Sequence, residues 1–358
     1  EISDPNSPST TVLIDKAKTV TANYVVQYKV SFDQTGLDDT AIGTIVTVDG
    51  NSKTFTDLPF IFWTDEGTVI SYSYESTISS SIADKRFVLV DVSGPASPFT
   101  VTSSISVVGN YKTQFQITFD QTGIGGDYAG TVINIDGTDY GAGDLPVSFW
   151  WDEGSTHNFS FYSPLTVTPN AKRYVWVSTT GLSNQQSDTI TITTSGDITG
   201  NYKTQYYLTV NSPYGAPTPT SGWFDANSTI TASVTSPWAG PPGTRYVCTG
   251  WSGTGSVPAS GTTTSVTFTI NEPSSITWNW ITQYYLTVQT DPPGIVTIPG
   301  EGWYSEGTYV NLTAPDLVNG PTNDTRYRFE YWDVDGVSQG VGVNPITVFM
   351  DANHTATA

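Results

Sequence analysis

One five-residue junction recurs four times along this chain and constrains its fold more than any other feature. The junction begins at Asn23, Asn110, Asn201 and Asn279, and each copy places a Gln four residues after the Asn. An alternating apolar and polar stretch follows every copy, as in residues 28–32. Self-similarity at a nearly constant spacing is typical of tandem repeats, and two-residue alternation predicts strands buried on one face. The sequence therefore predicts a row of β units rather than one large domain.

The junctions divide the chain into four predicted modules preceded by a short segment. Gly, Pro, Asn and Asp cluster between the short strand-like runs, and no stretch shows a sustained helical period. This pattern is typical of β-sandwiches. The expected fold is therefore all-β, a linear array of four immunoglobulin-like (Ig-like) β-sandwich modules joined by very short linkers. The expected ranges are 1–24 for the segment, 25–111 for module 1, 112–202 for module 2, 203–280 for module 3 and 281–358 for module 4.

The segment 1–24 reads as the closing strand of a module. Its residues 14–24 align with residues 270–280, and the same stretch aligns with the closing residues 350–358 of module 4. We expect it to be either the closing strand of a preceding module or a strand donated to another subunit. Because its apolar residues alternate with polar ones, one face requires burial. The segment is therefore predicted to pair with a preceding module, a neighbouring chain or module 1.

The charge balance excludes several classes of partner. The 358 residues include 13 Lys and Arg against 33 Asp and Glu, a formal net charge of −20. Because phosphate binding requires a basic face, the sequence predicts no nucleic-acid partner. No apolar run approaches the ~20 residues of a membrane-spanning helix, so no direct membrane insertion of this segment is expected. Cys248 is the single cysteine, and its strand-like surroundings predict a buried thiol rather than a reactive one.

Two aromatic landmarks recur in every module. The first is a tryptophan before a polar turn, at Trp63, Trp150, Trp223 and Trp303. The second is an arginine-aromatic pair that opens a strand, at Arg86-Phe87, Arg173-Tyr174, Arg245-Tyr246 and Arg326-Tyr327. Since aromatic side chains are often buried in cores, the four repeated tryptophans are predicted to occupy equivalent core or near-core positions. Trp151 and Trp238 lack equivalents in every module and are predicted to be more exposed.

Modules 3 and 4 carry a set of elements that resembles a known repeat family. In module 4 these elements are residues 285–288, 300–304, 306–308, 327–332 and 355–358. Through them, modules 3 and 4 resemble the divergent type of the listerial internalin B-repeat, found in many bacterial and archaeal surface proteins. Modules 1 and 2 look like the companion modules that precede such repeats in large archaeal surface proteins. Module 4 departs from the pattern with Glu330-Tyr331 before Trp332, where the family usually has Gly. The resemblance implies an extracellular β-rich array without catalytic residues.

Candidate catalytic groups are scarce. The chain contains only two histidines, His157 and His354, and no Ser-His-Asp arrangement, Cys-His arrangement or zinc spacing is supported. The acidic pairs Asp65-Glu66 and Asp152-Glu153 are the best glycosidase candidates. They recur in degenerate form in modules 3 and 4, which favours a structural turn. We therefore expect no enzyme activity and no cofactor.

Asp333 and Asp335 form the candidate metal site. Their alternating carboxylates precede Gly336, as in calcium loops, but the other ligands of an EF-hand loop are missing. An ordinary Asp-Gly hairpin turn explains the pattern equally well, so calcium and a structural turn both remain open. Five sequons supply candidate glycosylation sites at Asn158, Asn227, Asn311, Asn323 and Asn353.

These features together predict an extracellular protein of the cell surface. Its repeats would act as a spacer or stalk, or as a component of a filament or surface layer. Its partners would be neighbouring copies or further modules of the same protein. Two alternatives remain open: an adhesin-type module that binds glycan or protein through exposed aromatic residues, and an accessory region of a large secreted hydrolase.

Overall fold

The computed structural model describes residues 2 and 4–358, and the chain is almost entirely β-structure. Modules 1 and 2 share a similar set of strands. In module 1 they are β1 Gln27–Thr35, β2 Ala41–Ile42, β3 Val46–Val48, β4 Asn51–Lys53, β5 Phe60–Asp65, β6 Val69–Ile70, β7 Tyr72–Tyr74, β8 Thr77–Ser80, β9 Lys85–Ser93 and β10 Phe99–Thr100, and β11 Ile105–Thr122 continues into module 2. Module 2 then contains β12 Thr131–Ile135, β13 Thr138–Gly141, β14 Val147–Asp152, β15 Thr156–Phe161, β16 Leu165–Thr168, β17 Lys172–Gly181 and β18 Ser187–Thr191.

The second half of the chain follows the same plan. Strand β19 Gly196–Asn211 enters module 3, which contains β20 Gly222–Asp225, β21 Thr229–Ser233, β22 Trp238–Ala239, β23 Thr244–Thr254, β24 Ser260–Gly261 and β25 Ser265–Thr269. Strand β26 Ser274–Gln289 enters module 4, which contains β27 Gly302–Ser305, β28 Tyr309–Leu312, β29 Leu317–Asn319, β30 Arg326–Arg328, β31 Tyr331–Val334, β32 Val337–Val341, β33 Ile346–Phe349 and β34 His354–Thr357. One 3-10 turn spans Phe55–Asp57. The predicted all-β fold is confirmed.

The buried side chains form four hydrophobic clusters along the chain. They extend from Val30 to Tyr111, from Phe115 to Tyr202, from Leu208 to Trp278 and from Leu286 to Ala356. Each cluster falls within the range predicted for one module. The Ig-like connectivity of the modules stays a prediction.

Module 1 illustrates how a core is built between two sheets. Phe32 of β1, Phe87 of β9 and Val107 of β11 belong to the large sheet and are fully buried. Val46 of β3 and Tyr74 of β7 belong to a smaller sheet and are buried in the same cluster. Because every second side chain of a strand points to the same face, two facing sheets enclose one core. This arrangement is a β-sandwich.

Three long strands cross from one cluster to the next without interruption. We call β11, β19 and β26 the junction strands. Each one first closes a module, pairing in parallel with that module's opening strand, and then opens the following module. The last strand, β34, pairs in parallel with β26 in the same way. The large sheets of successive modules are therefore hydrogen-bonded into one continuous sheet.

The register of the junction strands shows a constant advance. Eight residues separate Gln27 from Thr35, Thr35 pairs with Asn110, and four residues separate Asn110 from Gln114. The equivalent step from Gln114 to Gln205 again advances twelve residues, through the pair Thr122 and Asn201. The third step is also twelve, through Asn211 and Thr277. All three steps run in the same strand direction.

The described residues before β1, 2 and 4–24, form no strand pairing with module 1 in this structure. Ile14, Val20 and Tyr24 are 74%, 56% and 92% exposed, respectively. Ile2 and Val12 form an isolated antiparallel bridge within the segment. Of the three partners predicted for residues 1–24, module 1 therefore forms no strand pairing with the described part of the segment, while the other two stay predictions.

The core or near-core placement predicted for the four repeated tryptophans is wrong for Trp63. Trp63 is 64% exposed, whereas Trp150, Trp223 and Trp303 are partly buried at module boundaries and lie outside the core clusters. The physical reason is strand alternation, since Phe62 of β5 faces the core and its neighbour Trp63 must face outward. The large buried tryptophans are instead Trp251, Trp278 and Trp332.

The two tryptophans without equivalents in every module behave differently from each other. Trp238 is 38% exposed, as predicted. Trp151 packs against the core of module 2 and stacks on His157 with ring centroids 3.7 Å apart, so the prediction for Trp151 is wrong. Cys248 is buried, as predicted.

Replacing a core tryptophan should have a far larger effect than replacing an outward one. Trp332→Ala is expected to lower the free energy of unfolding of module 4 by about 3–5 kcal/mol, because it removes a large side chain from a packed core. Trp63→Ala is the matched control and should change the stability of module 1 by less than about 0.5 kcal/mol. Calorimetric unfolding of the full chain measures both. Equal effects of the two substitutions would contradict this assignment of core and surface.

Candidate functional site at the module junctions

Repeated polar residues converge at the module junctions. At the first junction, β11 lies between β9 of module 1 and β14 of module 2. Gln114 of β11 stands directly opposite Arg86 on one side and Asp152 on the other. Arg86 Nε donates to Gln114 Oε1 at 2.9 Å, and Gln114 Nε2 donates to Asp152 Oδ1 at 2.7 Å. One hydrogen-bonded row therefore crosses the boundary between the two modules.

The same row is found at the second junction, and its arginine–glutamine half is found at the third. At the second, Arg173 Nε donates to Gln205 Oε1 at 2.8 Å, and Gln205 Nε2 donates to Asp225 Oδ1 at 2.7 Å. At the third, Arg245 Nε donates to Gln283 Oε1 at 2.8 Å, and a serine replaces the aspartate. The arginine comes from the preceding module, and the glutamine belongs to the junction strand. The row is thus a property of the junction rather than of a single module.

Each of these arginines also stacks on a tryptophan of the following module. The guanidinium carbon lies 4.3 Å from the ring centroid for Arg86 and Trp150, 4.3 Å for Arg173 and Trp223, and 4.6 Å for Arg245 and Trp303. The tryptophan reaches the arginine because it lies two residues before the residue that ends the row, on the same strand face. A cation–π contact of this kind contributes about 0.5–2 kcal/mol, depending on its desolvation.

Lysines of the junction strands extend the row at the first two junctions. Lys112 Nζ lies 2.7 Å from Asp152 Oδ2, and Lys203 Nζ lies 2.8 Å from Asp225 Oδ2. Hydrogen bonds from the lysine and the junction glutamine lower the pKa of both aspartates below the ordinary value. Burial lowers the pKa of Arg173 below its ordinary value. Exposed ion pairs add little stability, so the lysines mainly fix the register of the row.

A second aromatic residue of each junction caps the preceding core. Tyr111 Oη donates to the carbonyl oxygen of Glu75 at 2.8 Å, and Tyr202 Oη donates to that of Tyr162 at 2.9 Å. Burial raises the pKa of Tyr111 and Tyr202. At the third junction, Trp280 Nε1 donates to Ser212 Oγ at 3.0 Å. The aromatic residue of the recurring Asn-aromatic pair therefore seals the end of the module that it closes.

The recurring asparagine and glycine fix the parallel pairing behind this cap. Thr35 Oγ1 donates to Asn110 Oδ1 at 2.7 Å, and Thr122 Oγ1 donates to Asn201 Oδ1 at 2.7 Å. Gly36 has φ of 83°, and a Cβ at this position would lie 1.9 Å from the carbonyl oxygen of Tyr111. Only glycine tolerates both this conformation and this close approach. The junction motif therefore specifies backbone register.

The structure places the candidate calcium residues in the hairpin between β31 and β32. Asp333 Oδ1 accepts a hydrogen bond from the Gly336 amide at 2.8 Å, which closes the turn. Asp335 accepts hydrogen bonds from His354 Nδ1 and from the Thr355 amide. Within residues 2 and 4–358, no three His, Cys, Asp or Glu side chains come together as ligands for a metal ion. The arrangement favours the structural turn over the calcium site.

The five sequon asparagines all lie at the surface. Asn158 and Asn311 are in strands β15 and β28, and Asn227 is in a turn with φ of 65°. Asn323 is in the loop before β30, and Asn353 lies just before β34. All five side chains are exposed and therefore accessible to a modifying enzyme.

The aspartates of the acidic pairs considered for catalysis are held by the repeated glutamines. Asp152 is held by Gln114 and Lys112, and Asp65 by Gln27 at 2.7 Å. Such fixed, exposed carboxylates fit a structural role. No protein-family model matches this chain, and no curated protein matches its sequence. In the described part of the chain, no helix is long and apolar enough to cross a membrane.

Sequence reasoning identified both halves of the junction contact but missed their association. The tryptophan and the arginine were recognised as separate landmarks within each module. Their contact joins different modules, so the partner of Trp150 is 64 residues away, at Arg86. The sequence does contain a signal for this contact. Strand alternation places Trp150 and Asp152 on the outward face, together with a junction glutamine.

The arginine–tryptophan contact should be measurable as a coupling between modules. In a double-mutant cycle of Arg173→Ala and Trp223→Ala, we expect a coupling of about 0.5–2 kcal/mol in the free energy of unfolding. The same cycle with Arg326→Ala and Trp63→Ala is the control, because these two residues are not in contact within the chain. Calorimetry of the full chain gives both values. Coupling near zero for Arg173 and Trp223 would contradict the contact.

The stability of module 4 should depend on the charge of His354. Burial disfavours the imidazolium, but hydrogen bonds to Asp335 and Asp351 outweigh burial and raise the pKa of His354 above its ordinary value of 6.5. A raised pKa in the folded state means that the stabilisation is present at low pH and is lost as pH rises through that pKa. Between about pH 6 and pH 8, the wild type should lose more stability than His354→Gln. Identical pH profiles of thermal unfolding would contradict this prediction.

Proposed function

We propose that this chain is a structural spacer in an extracellular cell-surface protein, in which four modules are held in line as a stiff rod. The observation that carries the proposal is the continuity of the junction strands. Each of them belongs to the large sheets of two modules, so no flexible linker separates successive cores. A spacer requires this property, because its length depends on the modules keeping a fixed direction.

The strand register supports an elongated shape. Each module advances the junction position by twelve residues along parallel strands, as between Gln27 and Gln114. At the rise of a β-strand, this step is roughly 40 Å. Because the steps share one direction and one sheet, they add along the chain. Four modules would therefore extend over roughly 160 Å, less any shortening caused by sheet twist.

The side chains at each junction support stiffness. A bend at the first junction would separate Arg86 from Trp150 and break the row through Gln114. It would also withdraw Tyr111 from the end of module 1. The junction thus combines backbone pairing, stacking and a cap, and all three must be lost together for the modules to bend freely.

The charge and the exposed sequons of the protein surface support the extracellular setting. The net charge of −20 keeps the chain solvated and away from phosphate-rich partners. The five exposed sequons are compatible with a glycosylated surface protein, as is the resemblance of modules 3 and 4 to bacterial surface repeats. The adhesin alternative relied on exposed aromatic residues, but three of the four repeated tryptophans are engaged by arginines at the junctions.

Small-angle X-ray scattering of the full chain tests the proposal. A compact globule of this length would have a radius of gyration of about 21 Å, whereas four modules in line at the observed stagger should give about 45 Å. A variant with a flexible Gly-Ser insertion between Asn201 and Tyr202 provides the comparison, since it interrupts one junction strand. The variant should show a smaller average radius. A wild-type value near 21 Å would exclude the rod.

A further inference from the structure

Module 1 presents half of a junction with no arginine attached. Trp63 is 64% exposed, whereas its equivalents Trp150, Trp223 and Trp303 are partly covered by arginines. Gln27 already donates to Asp65 at 2.7 Å, as the other junction glutamines do to their aspartates. Trp63 and Asp65 lie on the same outward face of β5. We call Tyr24, Gln27, Trp63 and Asp65 the open face.

The chemistry of the missing partner can be read from the three complete junctions. In each of them, the group over the tryptophan is an arginine that opens a strand of the neighbouring module and bonds to the junction glutamine. Val25 stands where Lys112 and Lys203 stand at the first two complete junctions, so Asp65 lacks their lysine partner. An arginine at the open face would therefore bring the positive charge that Asp65 lacks.

Module 4 carries the complementary half. Arg326 occupies the sequence position of Arg86, Arg173 and Arg245, yet it is exposed where those three are partly buried. A groove beside it is lined by Thr290, Tyr327 and Thr357, among others. The equivalent position in module 3 is filled by Trp280, which bonds to Ser212. Tyr24, which is 92% exposed and follows an asparagine as Trp280 does, has the type of side chain that fits this groove.

We propose that the open face docks the arginine-bearing end of a module of the same kind as module 4, with that arginine stacked on Trp63 and Tyr24 seated in the neighbouring groove. This inference rests on the proposed function and names the partner that would extend the rod. It is argued from continuity with the three junctions of this chain. The segment 14–22 belongs to the same arrangement, because it aligns with residues 350–358, which close module 4.

A tandem protein tests the proposal with module 4 of a second copy as the probe. Two copies are fused so that Asn23 of the second follows Ala358 of the first, which recreates the spacing of the internal junctions. The first copy carries Trp63→Phe, so that the only tryptophan at position 63 is the one in the second copy, next to the new junction. Hydroxyl-radical footprinting with mass spectrometry then measures the oxidation rate of this tryptophan.

We expect the oxidation rate of Trp63 to fall in the tandem to that of Trp150 or Trp223, which serve as internal references. Arg326→Ala in the first copy should restore the rate seen in the single chain. A flexible Gly-Ser spacer between Ala358 and Asn23 should restore it as well, because the strand is then interrupted. An unchanged Trp63 rate, with Trp150 and Trp223 still protected, would overturn the proposal while leaving the rod itself intact.

A second measurement covers the case in which the fusion does not fold. The chain without residues 1–22 keeps all four core clusters, since those residues lie outside them. At high concentration, this form should associate end to end in sedimentation velocity, and Trp63→Ala should abolish the association. Purely monomeric behaviour would overturn the proposal, and association that persists in Trp63→Ala would assign the contact to another surface. A compact single chain in scattering would instead reject the proposed function.

Discussion

The sharing of one strand between two sheets is the constraint on which the rest of this structure depends. Strand β11 closes module 1 against β1 and β9, and a few residues later it is paired with β14 of module 2. Around Gln114 its backbone is paired on both sides at once, by strands of different modules. A hinge at this point would leave backbone groups of three strands unpaired, and each broken bond would cost about 0.5–1.5 kcal/mol net. The modules therefore inherit their relative direction from the strand.

The side-chain contacts of the junction follow from this shared strand. The strand places a glutamine between an arginine of one module and, at the first two junctions, an aspartate of the next, at hydrogen-bonding distance from both. It also fixes how far the next module is rotated, and this brings the tryptophan under the guanidinium. The ion pairs are exposed and weak individually, so they contribute specificity of register more than stability. The stacked tryptophan and the capping tyrosine add apolar contacts at the same boundary.

The sequence predicts the β class well because strand formation depends on local pattern. Alternation reveals strands such as β1, and the recurring Asn-aromatic pair marks where each module closes. The contact made by the aromatic residue of the pair stays within one module, since Tyr111 caps the core that it closes. The Arg86–Trp150 contact could not be found in this way, because its two residues belong to different modules and meet only through the pairing of β9, β11 and β14. The assumption that large aromatic residues lie in the core led to the wrong position for Trp63. Its alternation with Phe62 along β5 predicts instead that the Trp63 side chain faces outward.

Hydrogen exchange of the junction amides tests the central claim most directly. If the junction strands are continuous structural elements, the backbone amides of residues 112–116 and 203–207 should exchange as slowly as those of residues 117–119, which lie in the core of module 2. The exposed residues 19–25, which belong to no strand, provide the reference in the same molecule. Exchange of the junction amides at the rate of that segment would show that the modules are joined by flexible linkers, and the rod would have no structural basis.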